Sequence, residues 1–509
     1  MKSILSYGLV CGLLLFLAPY GFAESVRDSS VLTGDWLRTA LEQVSPERML
    51  ADISTLSGPA FEGRQTGTPQ DERSASFVAN RFSELRLQRS PGVPPQSSTN
   101  PLPHREWKQT ASVPATRISD DALVELTLSH QRRSLHSGSQ FLPVLDAPSA
   151  DVRSSIVFVG YGIVDPSQGI DDYGGLDVRN AIVLFLRGKP EAYSPTVTHA
   201  DKERLAKQRG AIGYLMATGP VLNAYERRRG VTGTPSAFYS MTEPAQQLPG
   251  AWISTETAEW ILQQSSEGKS ALRLIQEELN RTGTSRSMHT GVTVQMKWTS
   301  LLETGTLFNL MSVIRGYTTS AEETVLLGAH RDHFGRQAGL LFAGADDNAS
   351  GTAVLLEVAR VLALAPAAPR RSILFVSFSG EEQGLLGSRL YVSEPIVSLR
   401  NIIAMINVDH AGTGNGRLTV GVTGLEKSAA ERAAHLAGLS GKLDVFGYFP
   451  GGDHVPFKEA GVPTITVVSG GVHPHFHQAS DTPDTIDPEI LGSVARYVLA
   501  LVWHLANDP

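Results

Sequence analysis

Ser379-Gly380-Glu381-Glu382-Gln383-Gly384 sets two adjacent carboxylates where the apolar run Ile373-Leu374-Phe375-Val376-Ser377-Phe378 ends. That run is apolar enough for a strand covered on both faces. Two neighbouring anions in a crowded site repel, so something positive has to compensate them. The motif holds no Lys or Arg. Metal ions are the candidates, and the C-terminal half carries ligands of matching type. The chemistry expected is hydrolysis at a pair of metal ions.

Four further clusters keep the same register. His330-Arg331-Asp332-His333 follows Thr324-Val325-Leu326-Leu327, and Asn407-Val408-Asp409-His410 follows Ile402-Ile403-Ala404-Met405-Ile406. His473-Pro474-His475-Phe476-His477 and Asp481-Thr482 come after Thr464-Ile465-Thr466-Val467-Val468. Gly344-Ala345-Asp346-Asp347-Asn348-Ala349-Ser350-Gly351 opens a segment with Val354, Leu355, Val358, Val361 and Leu362 at helical spacing. Each cluster lies past a strand end or at a helix start, and sites assemble at the carboxyl ends of strands in open α/β sheets. Singly, each has a plain structural reading: an acidic pair at a helix start, an N-cap cluster, a solvated turn. All five in order outweigh that.

Cys11 is the only cysteine, so a zinc ion would be held by imidazole and carboxylate. Two ions can share one carboxylate, and Asp346-Asp347 is the natural source of that bridge. One of Glu381 and Glu382 can bind metal while the other serves as general base. Asp332, two residues past His330, is placed to orient a ligating imidazole.

Gly-Ala-His330-x-Asp332, Gly-Ala-Asp346-Asp347-Asn-Ala-Ser-Gly, Glu381-Glu382-x-Gly-Leu-x-Gly-Ser, Asn-x-Asp409 and His477-x-x-x-Asp-Thr, in this order, resemble the co-catalytic zinc aminopeptidases of metallopeptidase family 28. Asp52-Ile53-x-x-Leu56-Ser57 and Phe61-Glu62-Gly63-Arg64 resemble that family's N-terminal stretch more loosely. Gly160-Tyr161-Gly162, Asp172-Tyr173 and Val183-Leu184-Phe185-Leu186-Arg187-Gly188 resemble the protease-associated domain inserted in many members. The resemblance implies two zinc ions per chain, cobalt or manganese being alternatives for such ligands. It makes His330, Asp347 and Asp409 ligands of one ion and has Asp347 bridge to a second that Glu382 and His477 complete. It makes Glu381 the general base, has Asp332 support His330, and lets Asp346 or Asn348 carry a strained peptide. It puts Tyr448 near an oxyanion-stabilising position. His410, where an apolar residue is usual, and Arg331 with His333 depart from the pattern.

The fold implied is α/β, a mixed, mostly parallel sheet with helices on both faces, plus an inserted β-rich domain. Residues 1–23 read as an export signal, with Lys2, an apolar core from Leu9 to Ala18 and Gly21-Phe22-Ala23 at the cleavage position. Residues 24–122 read as the N-terminal part of the catalytic domain, 123–294 as the insertion and 295–509 as the catalytic domain. Residues 90–104, rich in Pro and Ser, read as a surface loop. The insertion lacks ligand spacing and is expected to narrow the site's mouth. No other segment is expected to approach membrane-spanning length, and a net charge of −7 leaves no basic footprint for nucleic acid. The expected partners are therefore peptides. The expected function is an exported aminopeptidase, periplasmic or secreted, with Asp346 and Asp409 among the carboxylates holding the substrate's ammonium. The alternatives are a carboxypeptidase or amidase on the same fold, for which Arg331 and Arg389 are candidate anchors, a glutaminyl-cyclase-like transferase with one zinc, and a non-catalytic receptor.

Overall fold

Alternation along the apolar runs decides which side of a sheet each residue faces. Val325, Leu327, Ile373 and Phe375 enter one core, whereas Leu326, Leu374, Val376 and Phe378 enter a smaller one with Tyr391 and Phe457. Their strands, Thr324–His330 and Ser372–Phe378, are buried along their whole length. The computed structural model describes residues 29–85, 108–223, 226–227, 231–265, 271–283, 286–317 and 322–508. The expected export signal over 1–23 and the expected loop over 90–104 lie outside the described residues.

The two strands stand near the middle of an eight-stranded sheet ordered 108–118, 300–314, 372–378, 324–330, 402–408, 464–469, 418–423, 443–446. Four of its seven pairings are parallel. Strands 372–378, 324–330, 402–408 and 464–469 all run the same way, so their carboxyl ends share one edge; His330 pairs with Phe378 and Val408 with Val467. Helix Gly351–Leu362 packs in the larger core with helices Pro46–Leu56 and Pro488–Asn507. Helices Leu386–Ser393 and His454–Glu459 contribute Tyr391 and Phe457 to the opposite core.

Helix Pro488–Asn507 begins with Pro at its first turn and Asp487 capping the Glu489 and Ile490 amides. At 20 residues it is long and apolar enough to cross a bilayer, which corrects the expectation that no segment approaches that length. Of its apolar window, 78% is buried inside the protein, against Pro46–Leu56, Gly351–Leu362 and Lys427–Leu436. Its apolarity serves the core.

A second eight-stranded sheet is built within residues 123–298, from 131–134, 123–128, 288–298, 150–158, 182–186, 213–217, 250–253 and 141–143. It has a separate core, which Phe334, Ala338 and Phe342 enter from the segment after His330. The two halves therefore meet beside the strand end that carries His330.

The segment before the second sheet is tied to the first by buried charge. Arg64, fully buried, donates to the carbonyls of Arg331 (2.5 Å), Leu56 (2.6 Å), Ala343 (2.8 Å) and Gly344 (2.7 Å). Burial pushes it down to about 10, still protonated near neutral pH. Gly63, at φ 72°, allows this approach, since a Cβ there would lie 2.1 Å from the Phe342 carbonyl oxygen. Arg331 in turn pairs with Asp71 at 2.9 Å and also donates to the Ser377 and Phe378 carbonyls. Each buried acceptor left without a donor costs about 1–3 kcal/mol. Arg64→Ala should therefore lower the unfolding free energy by at least about 3 kcal/mol, read as an earlier urea midpoint; an unchanged midpoint would contradict the clamp.

Candidate active site

His330 is the last residue of its strand, and Asp409 follows strand Ile402–Val408 directly. Glu381 and Glu382 come after Ser372–Phe378 through a turn that Gly380 makes at φ 77°. Asp347 lies in the segment Ala345–Ser350 that leads into helix Gly351–Leu362, its own backbone non-helical. The peptide between Asp347 and Asn348 is cis. His477 sits in the loop after Thr464–Ser469, with its backbone left-handed at φ 55°, a conformation that holds only when its surroundings over-determine it.

These five residues meet in two groups that share Asp347. His330 Nε2 is 3.5 Å from Asp347 Oδ1 and 3.4 Å from Asp409 Oδ1. His477 Nε2 is 3.1 Å from Asp347 Oδ2 and 3.4 Å from Glu382 Oε2. Zinc–ligand bonds of ~2.0–2.2 Å in a tetrahedral arrangement separate ligand atoms by roughly 3.3–3.6 Å; three of the four spacings fall in that range, and the His477–Asp347 spacing is shorter at 3.1 Å. His330 Nε2, Asp347 Oδ2 and Asp409 Oδ1 are moreover buried without a hydrogen-bond partner. The donor set fits divalent ions.

Two more histidine clusters adjoin the centre. His333 Nδ1 lies 2.7 Å from Glu382 Oε1 and 4.0 Å from Asp347 Oδ2. Burial holds it well below the usual imidazole range, so His333 is neutral, and its hydrogen bond with Glu382 orients that side chain. Asp346 is enclosed: it accepts from the Gly412 amide (2.7 Å), the Thr413 hydroxyl (2.7 Å) and His473 Nδ1 (2.8 Å). It cannot also hold a substrate's ammonium, which corrects that expectation; its work is to bind together the loops carrying Asp347, Asp409 and His477.

Buried negative charge dominates the electrostatics. Burial, with Asp409, Asp453 and Asp347 nearby, pushes Glu381 up to about 8 against the opposing His330. Burial, Asp347 and Glu381 lift Glu382 well above the usual range. Although burial opposes it, Asp409 and Glu381 hold His330 well above its ordinary value, and Asp347 and Asp409 push His410 up to about 10. Asp332 Oδ1 is 3.6 Å from His330 Nδ1 and accepts from the Glu381 amide at 3.3 Å, so it touches both.

Several contributors escaped the sequence reading. Asp481, quoted there only as context, accepts from the Asp346 and Asp347 amides at 2.8 and 3.0 Å. Ala237, from the second-sheet half, exchanges two hydrogen bonds with His477. A backbone carbonyl carries no sequence signal, whereas the position of Asp481 in the motif could have marked it.

The centre opens into a cavity of about 540 Å³. Asp347, Glu381, Glu382, Asp409 and Asp444 line it with Phe446, Tyr448, Phe449 and Phe476, and none of the described lining residues is Lys or Arg. Arg331 is fully buried on Asp71, and Arg389 faces Glu459 at 3.4 Å outside the cavity. Tyr448 is 47% exposed at the wall, with the Lys458 ammonium 4.4 Å from its ring.

The model of peptidase family M28 matches residues 309–502. The chain carries a peptidase M28 domain. Every ligand-type residue above lies in the M28 match. The aminopeptidase YwaD of Bacillus subtilis is 33% identical over 32% of this chain and 37% of its own length. The probable glutamate carboxypeptidase AMP1 of Arabidopsis thaliana is 26% identical over 70% of this chain and 54% of its own. The chain thus spans roughly a third to a half of these curated relatives. The solved peptidase M28 precursor of Shewanella amazonensis SB2B superposes with a TM-score of 0.65 at 19% identity, covering 94% of this chain and 97% of that one, and shares the fold.

Because Asp347 stands in both groups, Asp347→Ala should lower divalent-metal content more than His477→Ala, by elemental analysis of the purified variants. Equal content in the two would contradict a shared ligand.

Proposed function

We propose that this protein is an exported zinc aminopeptidase that removes N-terminal residues from peptides, with two ions per chain. The observation that carries the reading is the cavity itself. Its carboxylates suit an ammonium, while a C-terminal carboxylate would find no Lys or Arg among the described lining residues. The aromatic wall of Phe446, Phe449 and Phe476 suits an apolar terminal side chain. Export is supported by Lys2 and the apolar segment after it.

In this reading His330, Asp347 and Asp409 hold one zinc, and Asp347, Glu382 and His477 the other. The bound ions would supply Lewis-acid polarisation of the scissile carbonyl and a lowered pKa for the attacking water. The carboxylates lining the cavity, Asp409 among them, hold the substrate's ammonium and measure one residue from the end. Glu381 takes the proton from the water as its oxygen attacks the carbonyl carbon, then delivers it to the departing amine as the C–N bond breaks. Burial raises Glu381 above the ordinary carboxylate range, which favours its keeping the proton until the amine departs. Asp332 fixes His330 and the start of the Glu381 turn. Tyr448 donates from the wall to the oxygen on which charge develops.

The carboxypeptidase reading draws on the name of the plant relative. It lacks a Lys or Arg among the described lining residues of the cavity, and neither Arg331 nor Arg389 supplies one. A single-zinc cyclase would leave one half of the Asp347 pair of groups without purpose.

Glu381→Gln should keep the fold and metal content and lose at least ~10²-fold in kcat; near-wild-type turnover would remove Glu381 from the mechanism. Leucine p-nitroanilide should be cleaved and its N-acetylated form spared. Equal cleavage of both, or release of residues from the C-terminal end of a peptide, would replace the aminopeptidase reading.

A further inference from the structure

Among the described residues of the second-sheet half, segment 235–241 reaches the centre. The Ala237 amide donates to the His477 carbonyl at 2.9 Å, and the Ala237 carbonyl lies 3.0 Å from His477 Nδ1. A carbonyl oxygen only accepts, so Nδ1 carries a proton and Nε2 is the atom turned toward Asp347 and Glu382. The same two bonds hold His477 in its left-handed backbone conformation.

Further ties keep the segment in place. Gln478 Nε2 donates to the Pro235 carbonyl (3.0 Å) and the Ser236 hydroxyl (2.7 Å). The Tyr239 hydroxyl accepts from Gln65 Nε2 at 3.0 Å. From the second-sheet side, Asp146 accepts from the Ser240 amide (2.7 Å), the Met241 amide (3.0 Å) and the Ser240 hydroxyl (3.1 Å). Asp146 thus gathers the end of the segment just beyond Tyr239, and it does not line the cavity.

We infer that Asp146 is a positioning residue for the metal centre: by holding 235–241 it presents the Ala237 carbonyl to His477 and so sets how tightly the ion of Asp347, Glu382 and His477 is retained. The inference rests on the two-ion reading proposed above. It gives the second-sheet half a part in the centre itself, beyond shaping the approach to it. An orienting partner of a ligating imidazole is worth roughly 10–100-fold in metal affinity, so the effect falls in a measurable range and on one ion only.

The test follows release of zinc from the loaded protein to a chromophoric chelator. Two phases are expected from the wild type. Asp146→Ala should speed one of them by roughly 10–100-fold and leave the other unchanged. Asp146→Asn, which keeps an acceptor oxygen for the Ser240 amide, should return the fast phase toward the wild-type rate. Gln478→Ala, which cuts two of the segment's ties on the catalytic side, should speed the same phase and serves as a separate test if Asp146→Ala does not fold. Wild-type release in a folded Asp146→Ala would overturn the inference, as would wild-type release in Gln478→Ala or equal acceleration of both phases. A wild-type protein that holds fewer than two ions would overturn the two-ion reading and this inference together, a result distinct from either of those.

Discussion

Like charges buried close together are the constraint around which this structure is organised. Asp347, Glu381, Glu382 and Asp409 meet at one edge of a sheet, with Asp332, Asp346, Asp453 and Asp481 buried close behind. Folding such a group out of water is unfavourable unless donors and cations are fixed around it beforehand. Backbone amides, imidazoles and two buried arginines answer part of this. The remaining imbalance is concentrated where Asp347 faces two histidines, a donor set that fits divalent cations.

The strength of the arrangement lies in who supplies the compensation. Arg64 comes from the segment before the second sheet, and Arg331 is held by Asp71 and Ser74 of that segment. Asp481 approaches from the far end of the chain, and Ala237 from the second sheet. No one stretch of sequence contains a balanced site. The strands deliver the anions to one edge, and the loops and the two cores bring everything else to meet them.

This division explains which parts could be read in the sequence. Strand ends were legible because buried strands are continuous apolar runs, and the first polar residue past Phe378 or Val408 marks where the chain leaves the core. The helix Gly351–Leu362 was legible from its apolar period, and the ligand-type residues from their recurrence after such runs. The carbonyl cage around Arg64, the tie between Ala237 and His477 and the enclosure of Asp346 were not. Backbone acceptors have no residue identity, and the pairing of Asp71 with Arg331 spans a separation of 260 residues. Helix Pro488–Asn507 was passed over, although a helix buried on nearly all sides has the same composition as one that crosses lipid.

The distance along the chain between the parts has a consequence for biosynthesis. Arg64 must find the carbonyl of Gly344, 280 residues later, and the loop holding Asp347 is pinned by Asp481, 134 residues beyond it. Contacts this distant cannot form while the later residues are still untranslated. A nascent chain would emerge with its N-terminal helices and most of its second sheet ahead of any complete centre. The centre therefore cannot be completed before Asp481 has been synthesised, and a product terminated ahead of it has no means of completing it.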